Sequence, residues 1–151
     1  YLFNNHDISE LCYSGTKYIL SEFPYSSTFT GVSIDMLVRL IENFQVKPVF
    51  AHIERYPKVF KDVDRLIELN DMGVLFQANV SSILNFRTQR RILNLINDGF
   101  IHVLGTDLHK NDEILIGEYQ KACDIIEKKC GMSTLKRLMN NAEIILNNES
   151  L

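Results

Sequence analysis

The stretch Val46-Lys47-Pro48-Val49-Phe50-Ala51-His52-Ile53-Glu54-Arg55 begins as an apolar run and ends in an imidazole, a carboxylate and a guanidinium. A second stretch repeats the plan: Phe100-Ile101-His102-Val103-Leu104 leads into Gly105-Thr106-Asp107-Leu108-His109. Short apolar runs of this kind read as buried strands. His52, Asp107 and His109 then stand where strands end, which is where α/β sheets place their chemistry.

Working outward, Lys17 to Phe23 is a β-prone run closed by Pro24. Ser33 is the expected cap of a helix whose apolar residues Met36, Leu37, Leu40, Ile41 and Phe44 fall at helical spacing. Val46 to His52 is the next expected strand. Asp62 or Asp64 opens a helix that stops at Gly73, and Val74 to Val80 forms a third strand. A helix over Arg87 to Asp98 ends at Gly99, and Phe100 to Leu104 is the fourth strand. Helical spacing returns from Asp112 to Lys129, ahead of Gly131, and from Ser133 to Asn147.

Four strands alternating with helices, none with strict polar alternation, call for a parallel sheet covered by helices. Periodicity alone leaves open sheet and barrel as alternatives. No Gly/Ser/Pro linker or repeat divides the 151 residues, so one domain over 1–151 is expected. The opening at Tyr1-Leu2-Phe3 carries neither an initiator Met nor a helix start, and the back part of a longer polypeptide is expected.

Bulk properties exclude several classes. With a net charge of -3 there is no basic excess to neutralise phosphates, so nucleic acid is not an expected partner. No apolar run reaches the roughly 18 residues of a membrane span. No signal segment opens the chain, and a cytoplasmic location is the expectation. Cys12, Cys123 and Cys130 lack C-x-x-C spacing and read as reduced thiols. A thiolate phosphatase loop needs Arg six positions after Cys, and those positions hold Tyr18, Lys129 and Lys136. No phosphate-binding glycine loop is present either.

Each chemical residue has a bland reading beside the sharp one. His6 lies in a polar opening segment and reads as a surface residue. His102 lies inside the fourth strand, and a core or helix-packing role is expected. Asp107 and His109 share a side if the chain stays extended through Leu108. Together with His52 they offer ligands that suit Mn, Fe or Zn, although D-x-H pairs also occur as hydrogen-bonded surface turns. Arg55 offers a planar fork to a phosphate or carboxylate, or an ion pair to Glu54 or Asp62. Glu22, Gln77 and Asn79 sit near strand ends and offer the lining of a polar mouth, but a structural role is the expectation for all three.

The segments 17–24 (KYILSEFP), 48–56 (PVFAHIERY), 73–82 (GVLFQANVSS), 105–109 (GTDLH) and 140–148 (NNAEIILNN) resemble, in order, the C-terminal portion of bacterial PHP-domain protein-tyrosine phosphatases. These are the manganese-dependent enzymes that accompany capsular and extracellular polysaccharide tyrosine kinases. The resemblance implies part of a distorted β/α barrel of the PHP type, with up to three Mn2+ ions (Fe or Zn as alternatives) at its C-terminal rim. It implies hydrolysis of phosphotyrosine, with the kinase's tyrosine-rich tail as substrate. His52, Asp107 and His109 take the places of metal ligands, and Arg55 that of the arginine holding the phosphoryl group.

Three departures are visible. Ile53 stands where the family usually has Pro; Ile114 stands where it often has Arg, leaving Lys110 as the nearest cation. The family's N-terminal ligands, an H-x-H, a further His/Asp set and a bridging Glu, have no counterpart ahead of Tyr1. A phenolate, with a parent pKa of about 10, leaves far more readily than an alkoxide, so little general-acid help is required. The competing readings are a histidinol-phosphatase-like or other PHP metal hydrolase, and a catalytically inactive fragment acting as a binding module through homo-oligomer contacts.

Overall fold

The computed structural model describes residues 8–25, 31–106 and 112–151. Four strands, β1 (Tyr18–Ser21), β2 (Lys47–Phe50), β3 (Leu75–Asn79) and β4 (Ile101–Gly105), form one sheet in chain order. Every pairing is parallel. The helices are α1 (Val32–Glu42), α2 (Pro57–Phe60), α3 (Val63–Asp71), α4 (Val80–Leu84), α5 (Gln89–Asn97), α6 (Asp112–Cys130) and α7 (Met132–Leu146). Parallel neighbours need a crossover between them, and α1, α3 and α5 each lie between successive strands.

The expected α/β alternation is present, with local corrections. The first helix starts at Val32, after Gly31 at φ +53, so Ser33 falls inside its first turn instead of capping it. The strand expected over Val46 to His52 ends at Phe50, because the chain turns at Ala51 and His52 takes left-handed angles. Asp62, by contrast, is the cap of α3, its carboxylate accepting from the Arg65 amide at 3.1 Å. The helices α2 and α4, of 4 and 5 residues, are too short for the two-turn apolar stripe that betrays a helix in sequence.

Apolar residues pack on both faces of the sheet. The larger cluster gathers Phe50, Phe76 and Ile101 with Leu37, Leu66, Leu69, Ile92 and Ile96 from the helices, and with Ala122, Ile126 and Leu138. Burying each large side chain stabilises the fold by about 1.5–3 kcal/mol. On the other face Tyr18, Val49, Leu75 and Val103 meet Ala142 and Ile145 of α7. That cover is partial: Leu20 is 62% exposed beside it.

One irregularity shapes the rim. Phe76 pairs with Ile101 but Gln77 pairs with Val103, so His102 is an extra residue on β4. Its Nδ1 accepts the Phe76 amide at 3.0 Å, replacing a ladder carbonyl with a ring nitrogen. Burial, and then the charge of Arg137, push the imidazole down to a pKa of about 4. His102 is thus a structural acceptor, in line with the packing role expected for it.

Candidate active site

Beyond β2 the backbone bends sharply. His52 sits at φ 50, ψ 50, a conformation costing a non-glycine residue roughly 1–2 kcal/mol, and hydrogen bonds to Gln77 and Asn79 hold it there. Its amide donates to Gln77 Oε1 at 2.8 Å. Its ring Nδ1 lies 2.8 Å from Asn79 Oδ1, and its Nε2 lies 2.9 Å from Glu22 Oε1. Gln77 Nε2 also donates to Asn79 Oδ1, at 3.0 Å. His52, Gln77 and Asn79 are all buried, while the Glu22 side chain is 55% exposed.

Asn79 is fixed from a second direction. Its backbone N–H donates to Glu54 Oε1 at 3.2 Å, and Ser82 Oγ donates to the same oxygen at 2.9 Å. Glu54 Oε2 is buried with no hydrogen-bond partner among the described residues. Burial raises the pKa of this carboxyl against the opposing pull of its hydrogen bonds. Tyr56, wholly buried, clamps the segment after β1: its hydroxyl donates to the Phe23 carbonyl and accepts from the Phe23 amide, each at 3.0 Å. That clamp is one residue from Glu22.

Arg55 is exposed, and its Nη1 donates to the Tyr25 hydroxyl at 3.3 Å. Tyr25 in turn meets Tyr56 edge-on at 5.6 Å between ring centroids. A cavity of about 650 Å3 opens beside Glu22 and His52, with Gln77, Gly105 and Thr106 also in its wall along with Tyr18, Leu20, Val49 and Val103.

The geometry therefore brings His52 together with Glu22, Gln77 and Asn79, three residues for which the sequence favoured a structural role over lining a polar mouth. The available signal was their common position at the ends of β1 and β3. Asp107 and His109 lie outside the described residues, as does Lys110. Among the described residues no group of three or more His, Cys, Asp or Glu gathers at ion-binding distance. The His52–Glu22 pair nevertheless has the donor chemistry of a metal site. An imidazole nitrogen and a carboxylate oxygen at 2.9 Å share either a proton or a cation between them.

The model of the family described as capsular polysaccharide synthesis, CpsB/CapC, matches residues 3–147. The chain belongs to the CpsB/CapC family. Among its relatives, the tyrosine-protein phosphatase YwqE of Bacillus subtilis is 28% identical, over 93% of this chain and 56% of YwqE. The tyrosine-protein phosphatase CpsB of Streptococcus pneumoniae is 30% identical, over 87% of this chain and 57% of CpsB. The solved structures of YwqE and CpsB, described as unique metal-dependent tyrosine phosphatases, include a chain that superposes with a TM-score of 0.80 at 27% identity. That match covers 93% of this chain and 57% of the other. This CpsB/CapC chain thus spans a little over half the length of these relatives, and its fold is of the PHP type.

Proposed function

We propose that this chain contributes part of the active site of a metal-dependent phosphatase acting on phosphotyrosine. The observation that carries the reading is the buried His52 imidazole, braced at Nδ1 by Asn79 and facing the Glu22 carboxylate with Nε2. His52 and Glu22 would hold the metal, joined by Asp107 and His109 on the strength of the motif that carries them. When bound, the metal would supply Lewis-acid chemistry, acidifying a water and neutralising phosphoryl oxygens.

The remaining steps belong to this chain's own residues. Arg55, exposed three residues past His52 and donating to the Tyr25 hydroxyl, would fork two phosphoryl oxygens and orient the ester for in-line attack. The exposed ring of Tyr25 beside it, backed edge-on by the buried Tyr56, would offer a surface for the substrate's phenyl group. Phenolate departure needs little proton donation.

Mn2+ is the proposed ion, the tyrosine-rich tail of a capsule- or exopolysaccharide-controlling kinase the proposed substrate, and the cytoplasm the proposed location. None of the described helices is long and apolar enough to cross a membrane. Turnover by the complete natural polypeptide, with Mn2+ added, on a phosphotyrosine peptide and on histidinol phosphate tests the proposal. Preference for the peptide, lost in His52→Ala, is expected. Preference for histidinol phosphate, or inactivity toward both with undiminished capture of the kinase tail, would overturn it.

A further inference from the structure

The proton on the His52 ring can be placed from a donor whose direction is not in doubt. A backbone N–H can only donate, so the atom of Gln77 facing the His52 amide is its oxygen. The other end of that side chain is therefore the NH2 group, and it donates to Asn79. Asn79 must then present Oδ1, and an oxygen that faces His52 Nδ1 at 2.8 Å requires Nδ1 to carry the proton. Reversing any amide in this series sets donor against donor or acceptor against acceptor.

We infer that Gln77 is a positioning residue: lying across Gly105, it fixes His52 as the Nδ1–H tautomer and so aims the Nε2 lone pair at the space beside Glu22. In water a neutral histidine side chain prefers its proton on Nε2, the opposite arrangement. A ligating imidazole commonly has its second nitrogen tied to an oxygen acceptor, which sets both tautomer and ring angle. Here that acceptor is itself oriented by Gln77.

Two further features make room for this arrangement. A Cβ on Gly105 would overlap the Gln77 amide, so only glycine leaves the path across the strand end open. The extra residue at His102 sets the register that places Val103 opposite Gln77 and Gly105 opposite Asn79. Glutamate at position 77 would accept from the His52 amide equally well but could not donate to Asn79. The Asn79 amide would then be free to turn its NH2 toward Nδ1.

The inference rests on the phosphatase reading for its purpose but not for its test. Long-range 15N–1H spectra of the imidazoles, recorded on the metal-free, complete natural polypeptide at a pH where they are neutral, should show His52 protonated at Nδ1. His102, whose Nδ1 accepts from Phe76, serves as an internal Nε2–H reference. Gln77→Glu should move His52 toward Nε2–H and weaken Mn2+ binding about 10–100-fold. Asn79→Asp, which keeps an acceptor in place, should retain the Nδ1–H pattern. If Gln77→Glu does not fold, Gly105→Ala is expected to give the same tautomer shift. An Nε2–H signal for His52 in the unsubstituted protein, or an unchanged tautomer in folded Gln77→Glu, would overturn the inference. A tautomer shift with no Mn2+ bound by either protein would uphold it and overturn the metal reading alone.

Discussion

Glu22 Oε1 and His52 Nε2 stand 2.9 Å apart, although 30 positions separate them in the chain. With the ring proton on Nδ1, this is a meeting of two lone-pair atoms that calls for something positive between them. In Glu22→Gln the carboxylate gives way to an amide, which can donate to Nε2 and satisfy it without a cation. The metal-free protein should keep its stability to within about 1 kcal/mol, the scale of one hydrogen bond. Mn2+ affinity should fall by more than the roughly 10–100-fold seen for groups that only support a ligand. Thermal melts with and without Mn2+ check both halves; equal metal-induced stabilisation in the two proteins would remove Glu22 from the site.

Tyr56→Phe removes both hydrogen bonds that clamp Phe23. A loss of about 1–3 kcal/mol in urea unfolding is expected, because a wholly buried hydroxyl and its partners are involved. The same change should loosen Glu22, one residue away, and lower Mn2+ affinity without altering any ligand. Full stability in the variant would show the clamp to be incidental.

Arg55→Lys keeps the positive charge and gives up the fork. Because Arg55 is exposed, stability should change by no more than about 0.5 kcal/mol. Activity of the complete polypeptide on a phosphotyrosine peptide should drop on the order of 10²-fold in kcat/KM, the usual consequence of losing one well-placed donor to a transition state. A fall of less than about threefold would remove Arg55 from phosphoryl binding.

His102 sets a pH dependence of stability. Its pKa is about 4 when folded and 6.5 when free, so between those values the unfolded chain takes up a proton that the folded protein refuses. Stability should therefore fall as pH drops from about 6.5 to 4 and level off below, by up to about 3 kcal/mol in total. Glu54, its carboxyl raised by burial, acts in the opposite sense: it costs stability as pH rises through its titration. Comparison with His102→Asn, whose side-chain oxygen can still accept from Phe76, isolates the histidine. Parallel stability–pH curves for the two proteins would contradict the assignment.

The sheet was readable because four apolar runs, each closed by Pro, Gly or a turn, can bury themselves only between helices. The end of β2 is not legible in the sequence because Ala51 and His52 continue an apolar-looking run, and only the tertiary bond to Gln77 shows where the strand stops. His52 and Arg55 stood out through side chains with obvious chemistry. Glu22, Gln77 and Asn79 show in sequence only as polar residues at strand ends, since their significance comes from meeting His52 across three strands. Nor does anything local to Phe76 announce that its amide will bond to a ring on β4.

The left-handed turn at His52 loads two separate demands onto one codon. The backbone would be most comfortable with glycine or asparagine, and the ligand chemistry accepts neither. A saturation library at position 52, sorted first for folding and then for metal uptake, should accordingly return two disjoint populations. The best-folded clones would be the ones that bind nothing.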